Sequence, residues 1–210
     1  MSGLNPRAAA VLYQVAARVL DYPDEQLIAS LPTLRAAVQQ VPEPYGRPLG
    51  RLLDHLGAVP LESLTADYVA TFDLRRRCCL YLTYYAYGDT RKRGVALLSF
   101  KQAYRAATVE LSTVELPDHL CVVLEFAATA DLAAGRQLLN EHRAGVELLR
   151  LALQDCHSPY ADAVAAVTST LPALRGDERR AVARLAAEGP PGEDVGLEPF
   201  APPDLMRARA

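Results

Sequence analysis

Tryptophan is absent from the 210 residues, and isoleucine occurs once, at Ile28. Isoleucine belongs to the β-branched class that favours strands. Alanine and leucine, both strong helix formers, supply 68 residues between them. The composition predicts an all-α protein. No apolar run approaches the ~20 residues needed to cross a bilayer, so direct membrane insertion is not expected. The opening Met1–Arg7 has no signal-peptide layout, which points to the cytoplasm. No C-x-x-C occurs among the four cysteines, which excludes a zinc ribbon and a thioredoxin-type motif. Cys78 and Cys79 are adjacent and could pair only in a strained ring. Cys121 and Cys156 stand alone in helical patterns, so four free thiols are expected. There is no G-x-S-x-G, phosphate loop or glycine fingerprint, so nothing points to an enzyme. A formal net charge of −3 gives no global support to nucleic-acid binding.

The charged share of 22% and the apolar share of 50% suit one globular domain. Asn5-Pro6 is a helix start, with Leu12, Val15, Ala16 and Val19 on one face. Asp21-Tyr22-Pro23 stops that helix, and Asp24 can cap the next. Pro32 divides the second helix, and Pro42, Pro44 and Pro48 place residues 41–48 in a loop. Leu49 to Leu56 and Leu61 to Phe72 carry further stripes. Residues 78–87 have strand-like composition but no second strand pattern to pair with, so a short buried helix is expected. Asp89 caps a helix over about 90–107, with Leu97, Phe100 and Tyr104 inward. Pro117 and Asp118 occupy a first helical turn, where an acid complements the dipole. One long helix is expected from Gly135 to Asp155, then one from Ser158-Pro159 and one capped by Asp177. Residues 1–188 form the helical domain. Residues 189–210, with eight Pro and Gly in 22, form a tail outside the core and dispensable for folding.

Two places concentrate chemistry. Arg75–Arg77 and Arg91–Arg93 flank Tyr81, Tyr84, Tyr85 and Tyr87, a basic and aromatic mixture that can bind an anion, an acidic peptide or nucleic acid, or simply form a solvated face. Pro117, Asp118 and His119 begin a segment in which Glu125 stands among apolar residues. His119 at a helix start would be destabilised as a cation. A metal site at His142, Cys156 and His157 is poorly supported. So is a dyad of Cys121 with His119, two residues apart on a helix.

Three stretches, taken in order, resemble a known family. They are Tyr68-Val-Ala-Thr-Phe-Asp-Leu-Arg-Arg-Arg-Cys78, then Leu80-Tyr-Leu-Thr-Tyr-Tyr-Ala-Tyr-Gly-Asp-Thr-Arg-Lys-Arg-Gly94, then Glu115-Leu-Pro-Asp-His-Leu120 with Leu124-Glu-Phe126. The resemblance is to NarJ-type chaperones, the delta subunits that assemble respiratory nitrate reductase, within the TorD/DmsD group of redox-enzyme maturation proteins. It extends over about residues 8–175. It implies a single-domain helical bundle without enzymatic activity. Such proteins bind the N-terminal segment of the catalytic (alpha) subunit and keep it competent for molybdenum-cofactor insertion. The cofactor is the client's and none is held stably. Molybdenum-cofactor delivery proteins are possible further partners, and nucleic acid is not. By this resemblance Asp89, Thr90 and Arg91 fall in a Gly-Asp-Thr-Arg element, and Pro117, Asp118 and His119 in a Pro-Asp-His element beside the peptide groove. Tyr81, Tyr84, Tyr85 and Phe126 would give an apolar floor, and Asp118, His119 and Glu125 a rim for a basic peptide. The alternatives are a chaperone for a different molybdoenzyme, or a small helical regulatory or nucleic-acid-binding protein using Arg75–Arg93.

Overall fold

The computed structural model describes residues 4–110 and 115–188. The expected tail, 189–210, lies outside them. Helices run over α1 Pro6–Val19, α2 Glu25–Val38, α3 Glu43–Ala58, α4 Leu61–Tyr68, α5 Tyr84–Tyr87, α6 Arg91–Ala106, α7 Leu120–Thr129, α8 Leu132–Glu141, α9 Arg143–Asp155, α10 Ala161–Ser169 and α11 Gly176–Glu188. No strand occurs among the described residues. Two caps form as the sequence predicts: the side chains of Asn5 and Asp24 accept from the backbone N–H of Ala8 and Leu27, at 2.8 and 2.7 Å.

Helix α1 is the axis of the bundle. Its apolar residues recur so closely that Leu12, Tyr13, Val15, Ala16 and Val19 are all buried, and it touches α2, α3, α7 and α10. Tyr13 hydroxyl shares a 2.6 Å hydrogen bond with Thr170, tying the first helix to the end of α10. Helix α10 packs on α3 and α9, and α11 covers α9. Close approach of α7 and α8 depends on Gly135. A Cβ there would lie 2.3 Å from the Cβ of Ala127 and 2.6 Å from its Cα. Gly135→Ala should therefore lower stability by about 1–3 kcal/mol, read as a fall in the urea midpoint. An unchanged midpoint would show that α7 and α8 can separate freely.

Several local expectations fail for identifiable reasons. Pro32 does not divide α2: the helix runs on to Val38, with Leu27 and Leu31 buried before the proline and Leu34, Ala37 and Val38 packed against the core after it. Residues 43–48 are helix rather than loop. Pro44 sits in the first turn of α3, where its missing N–H is not needed, and Pro48 follows inside the helix. The long helix expected over 135–155 is two, broken at His142, whose backbone (φ −102°, ψ 22°) leaves the helical region. Asp89 is not the cap of α6. Thr90 takes that place, and Asp89 pairs with Arg93 at 3.2 Å. Gly88 (φ 56°) makes the left-handed turn between α5 and α6. Asp177 lies inside α11, which starts at Gly176 and pairs Asp177 with Arg180.

The stretch 78–87 is helical only at Tyr84–Tyr87, preceded by a 3-10 turn at Arg76–Cys78. Between them Tyr81 forms an antiparallel bridge with His119. Leu82 N–H donates to the Asp118 carbonyl at 3.0 Å, and Leu120 N–H to the Leu80 carbonyl at 2.8 Å. The partner of this strand-like stretch is a single residue ahead of a helix, too short to show a pattern of its own.

Candidate functional site

Pro117 and Asp118 precede α7 instead of forming its first turn, and His119 is the capping residue. The bridge holds this turn against Leu80–Thr83 and carries Asp118 inside. Asp118 is 0% exposed, not on a rim. Its Oδ2 accepts from Thr83 N–H at 3.1 Å and from the Thr83 hydroxyl. Arg93 lies 3.6 Å from the same oxygen and donates from Nε to Thr83 Oγ1 at 3.1 Å. Arg93 also covers the Tyr81 ring, 5.3 Å from its centroid, and Tyr81 meets the His119 ring edge-on at 5.1 Å. Asp89 joins the cluster through Arg93. Tyr81, Asp89, Asp118 and His119 are thus brought together, around a buried ion pair that fixes the bridge.

His119 opens on a cleft of about 270 Å³ between α1 and α7. Asp21, Glu115 and Glu125 line it with the single cation Arg18. Asp21 and Asp24 both pair with Arg18, so the cleft is acidic. Burial pushes the His119 imidazole below its ordinary 6.5, while Glu115, Asp21 and Asp118 pull it back up. Its Nδ1 is shielded and has no hydrogen-bond partner. The three carboxylates outnumber Arg18, and a neutral ring adds no positive charge to theirs. This arrangement suits a cationic side chain.

Tyr84 and Tyr85 lie elsewhere, in an apolar groove with Leu148, Leu151 and Ala152 of α9 and Leu185 of α11. Arg76, Arg77 and Asp155 also line it. Tyr85 hydroxyl donates to the carbonyls of Arg77 and Cys79, at 3.0 and 2.8 Å, and fixes that wall. Phe126 is no groove floor. It is 4% exposed and packs on Tyr104, ring centres 4.6 Å apart. Thr90 donates to the Tyr87 carbonyl at 2.8 Å, and exposed Arg91 begins α6. The Arg75–Arg93 basic stretch does not form one patch: Arg76 and Arg77 line the apolar groove, whereas Arg93 turns inward to Asp118. Thr83 and Arg93 escaped the motif reading as a pair with Asp118. The four-residue spacing of Asp89 and Arg93 was their one visible signal.

Among the described residues no group of His, Cys, Asp and Glu could hold a metal ion. All four cysteines are free. Burial pushes the Cys78 thiol up to about 12 and the Cys121 thiol well above its ordinary value.

The pH response of the fold follows from His119 and His142, both lowered chiefly by burial. Carboxylates oppose that shift at each: Glu115, Asp21 and Asp118 at His119, Glu141 and Asp118 at His142. As pH falls through 6.5 the unfolded chain takes up these protons before the folded one. Stability is then full above about pH 7 and declines by at most ~1.4 kcal/mol per pH unit per group. The double variant His119→Gln/His142→Gln should lose less urea resistance between pH 7 and pH 5 than the parent. Equal losses would assign the acid sensitivity to other groups.

Comparison with known proteins places this geometry in a family. Residues 38–166 match the family model described as nitrate reductase delta subunit. The nitrate reductase-like protein NarX of Mycobacterium tuberculosis is 45% identical over 161 residues, covering 76% of this chain and 24% of NarX. The chain thus spans about a quarter of that relative's length. A protein of Bacillus subtilis named as a nitrate reductase molybdenum cofactor assembly chaperone, NarJ, is 31% identical over 76% of this chain and 87% of its own. The NarJ of Escherichia coli is 29% identical over 70% of this chain and 64% of its own. In fold, the chain is similar to a redox enzyme maturation protein from Archaeoglobus fulgidus, with a TM-score of 0.58 and 22% identity over 76% of this chain and 91% of that one. With more than half of its length matched by the family model, the chain belongs to the nitrate reductase delta subunit family.

Proposed function

We propose that this protein is an assembly chaperone of nitrate reductase. It holds the N-terminal segment of the catalytic subunit while the molybdenum cofactor is inserted, and the cofactor remains the client's. The relatives from B. subtilis and E. coli carry the name of such chaperones, which supports the reading. Among the described residues no helix is long and apolar enough to cross a membrane, which agrees with work in the cytoplasm on an enzyme not yet at the membrane. The observation that carries the site is the acidic cleft. Asp21, Glu115 and Glu125 surround a neutral His119, and a basic N-terminal segment complements them. Glu115 and Glu125, both exposed, pair with its Lys or Arg side chains. Asp118 acts behind them, as the residue that keeps His119 and Tyr81 in place.

The test is calorimetric titration of a synthetic peptide, the N-terminal segment of the same organism's nitrate reductase catalytic subunit, into the full chain. Glu115→Ala/Glu125→Ala should weaken binding about tenfold, equivalent to ~1.4 kcal/mol, with the urea midpoint unchanged. Undiminished affinity in that variant would remove the cleft from the site, and no binding by the parent protein would overturn the client assignment.

A further inference from the structure

The groove beside Tyr84 is opposite in character to the acidic cleft. Its floor is apolar: Tyr84, Tyr85, Leu148, Leu151 and Leu185. Arg76 and Arg77, both exposed to solvent, line it with one acid, Asp155, so its charge is net positive. Arg77 donates one N–H to the Ala186 carbonyl of α11 at 3.4 Å. Among the described residues no carboxylate lies within ion-pair distance of Arg76 or Arg77. An occupant of this groove needs apolar side chains interleaved with acids.

The chain supplies such a segment next to the groove. Helix α11 ends at Glu188, three residues after the lining Leu185. The sequence that follows carries Glu193, Asp194, Glu198 and Asp204, with no base before Arg207. Val195, Leu197 and Phe200 stand among these acids. Three helical residues rise only about 4.5 Å, and the five residues to Glu193 reach up to ~17 Å. The groove is therefore within reach of the first acids. A short tether also holds the segment at an effective concentration in the millimolar range, where weak contacts suffice. The cleft of Asp21, Glu115 and Glu125 would repel the same segment.

We propose that the groove between α5, α9 and α11 is the docking site of this chain's own segment 193–200, with Phe200 in the apolar floor and Glu193 and Asp194 facing Arg76 and Arg77. This does not depend on the client assignment, which concerns the other cleft.

The experiment is amide hydrogen exchange on the full chain. Amides of residues 195–198, 200 and 201 should exchange at least about tenfold slower than in an unstructured peptide. Phe200→Ala should abolish that protection and leave the amides of α9 unaffected. Arg76→Glu/Arg77→Glu should also abolish it, and adding Glu193→Arg/Asp194→Arg should restore it; unchanged α9 exchange shows that these variants fold. Exchange at the unstructured rate in the parent protein would overturn the proposal. So would protection that survives Phe200→Ala and the charge reversal, which would put the segment elsewhere. Protection that grows with protein concentration would mean that a second copy fills the groove, and would overturn the intrachain contact.

Discussion

Asp118→Ala is expected to cost about 3–5 kcal/mol, the range for breaking a buried ion pair by removing one partner. The carboxylate is fully buried, and the Arg93 side chain is 17% exposed. Without Asp118, the guanidinium keeps one ion partner, Asp89, which is 62% exposed and screened by solvent. The Thr83 N–H and hydroxyl lose their acceptor in a dry site as well. A residue placed on a peptide-binding rim would give a small loss at most. Asp118→Asn keeps an acceptor for Thr83 and should cost less, about 1–3 kcal/mol. The measurement is the urea midpoint at pH 7, and a loss under 1 kcal/mol for Asp118→Ala would show that the bridge stands without this carboxylate.

Phe100→Ala is the second large effect, about 3–5 kcal/mol by the usual cost of deleting a buried aromatic ring. Helix α6 has 16 residues but buries only Phe100 and Tyr104. Phe100 stacks on His142 with ring centres 4.9 Å apart. Tyr104 packs on Phe126 and donates to the Pro117 carbonyl at 2.7 Å. The opposite side of α6 exposes Val95 and Leu98. An element held by two buried rings and the Arg93 ion pair at its start can open separately from the bundle. In Phe100→Ala, native-state hydrogen exchange should fall to low protection across α6 while α1 stays protected. Loss of protection in α1 and α6 together would make them one cooperative unit.

The helices with a continuous apolar stripe and a side-chain cap were legible in the sequence. Asn5 and Asp24 cap as expected, and Leu12, Val15, Ala16 and Val19 face inward as spaced. Proline was over-read. Its restriction is local, whereas the packing of Leu34, Ala37 and Val38 beyond Pro32 and of Leu49 beyond Pro48 decides whether α2 and α3 continue past it. The break at His142 was illegible for the opposite reason: the stripe from Leu138 to Leu153 keeps helical spacing across it, and Phe100 of a distant helix fills the corner. At the site, the motif brought attention to the right turn and gave Asp118 the wrong position. Its burial depends on Thr83, 35 residues away, a pairing that no local period encodes.

The hydrogen bond between Tyr13 and Thr170 also sets a timetable for biosynthesis. Its partners are 157 residues apart, so at 5–20 residues per second the ribosome adds Thr170 roughly 8–30 s after Tyr13. Until Leu120–Thr129 and Ala161–Ser169 have been made, the α7 and α10 faces that α1 packs against do not exist. Before then α1 has only α2 and α3 to pack against, and part of its apolar surface has no partner.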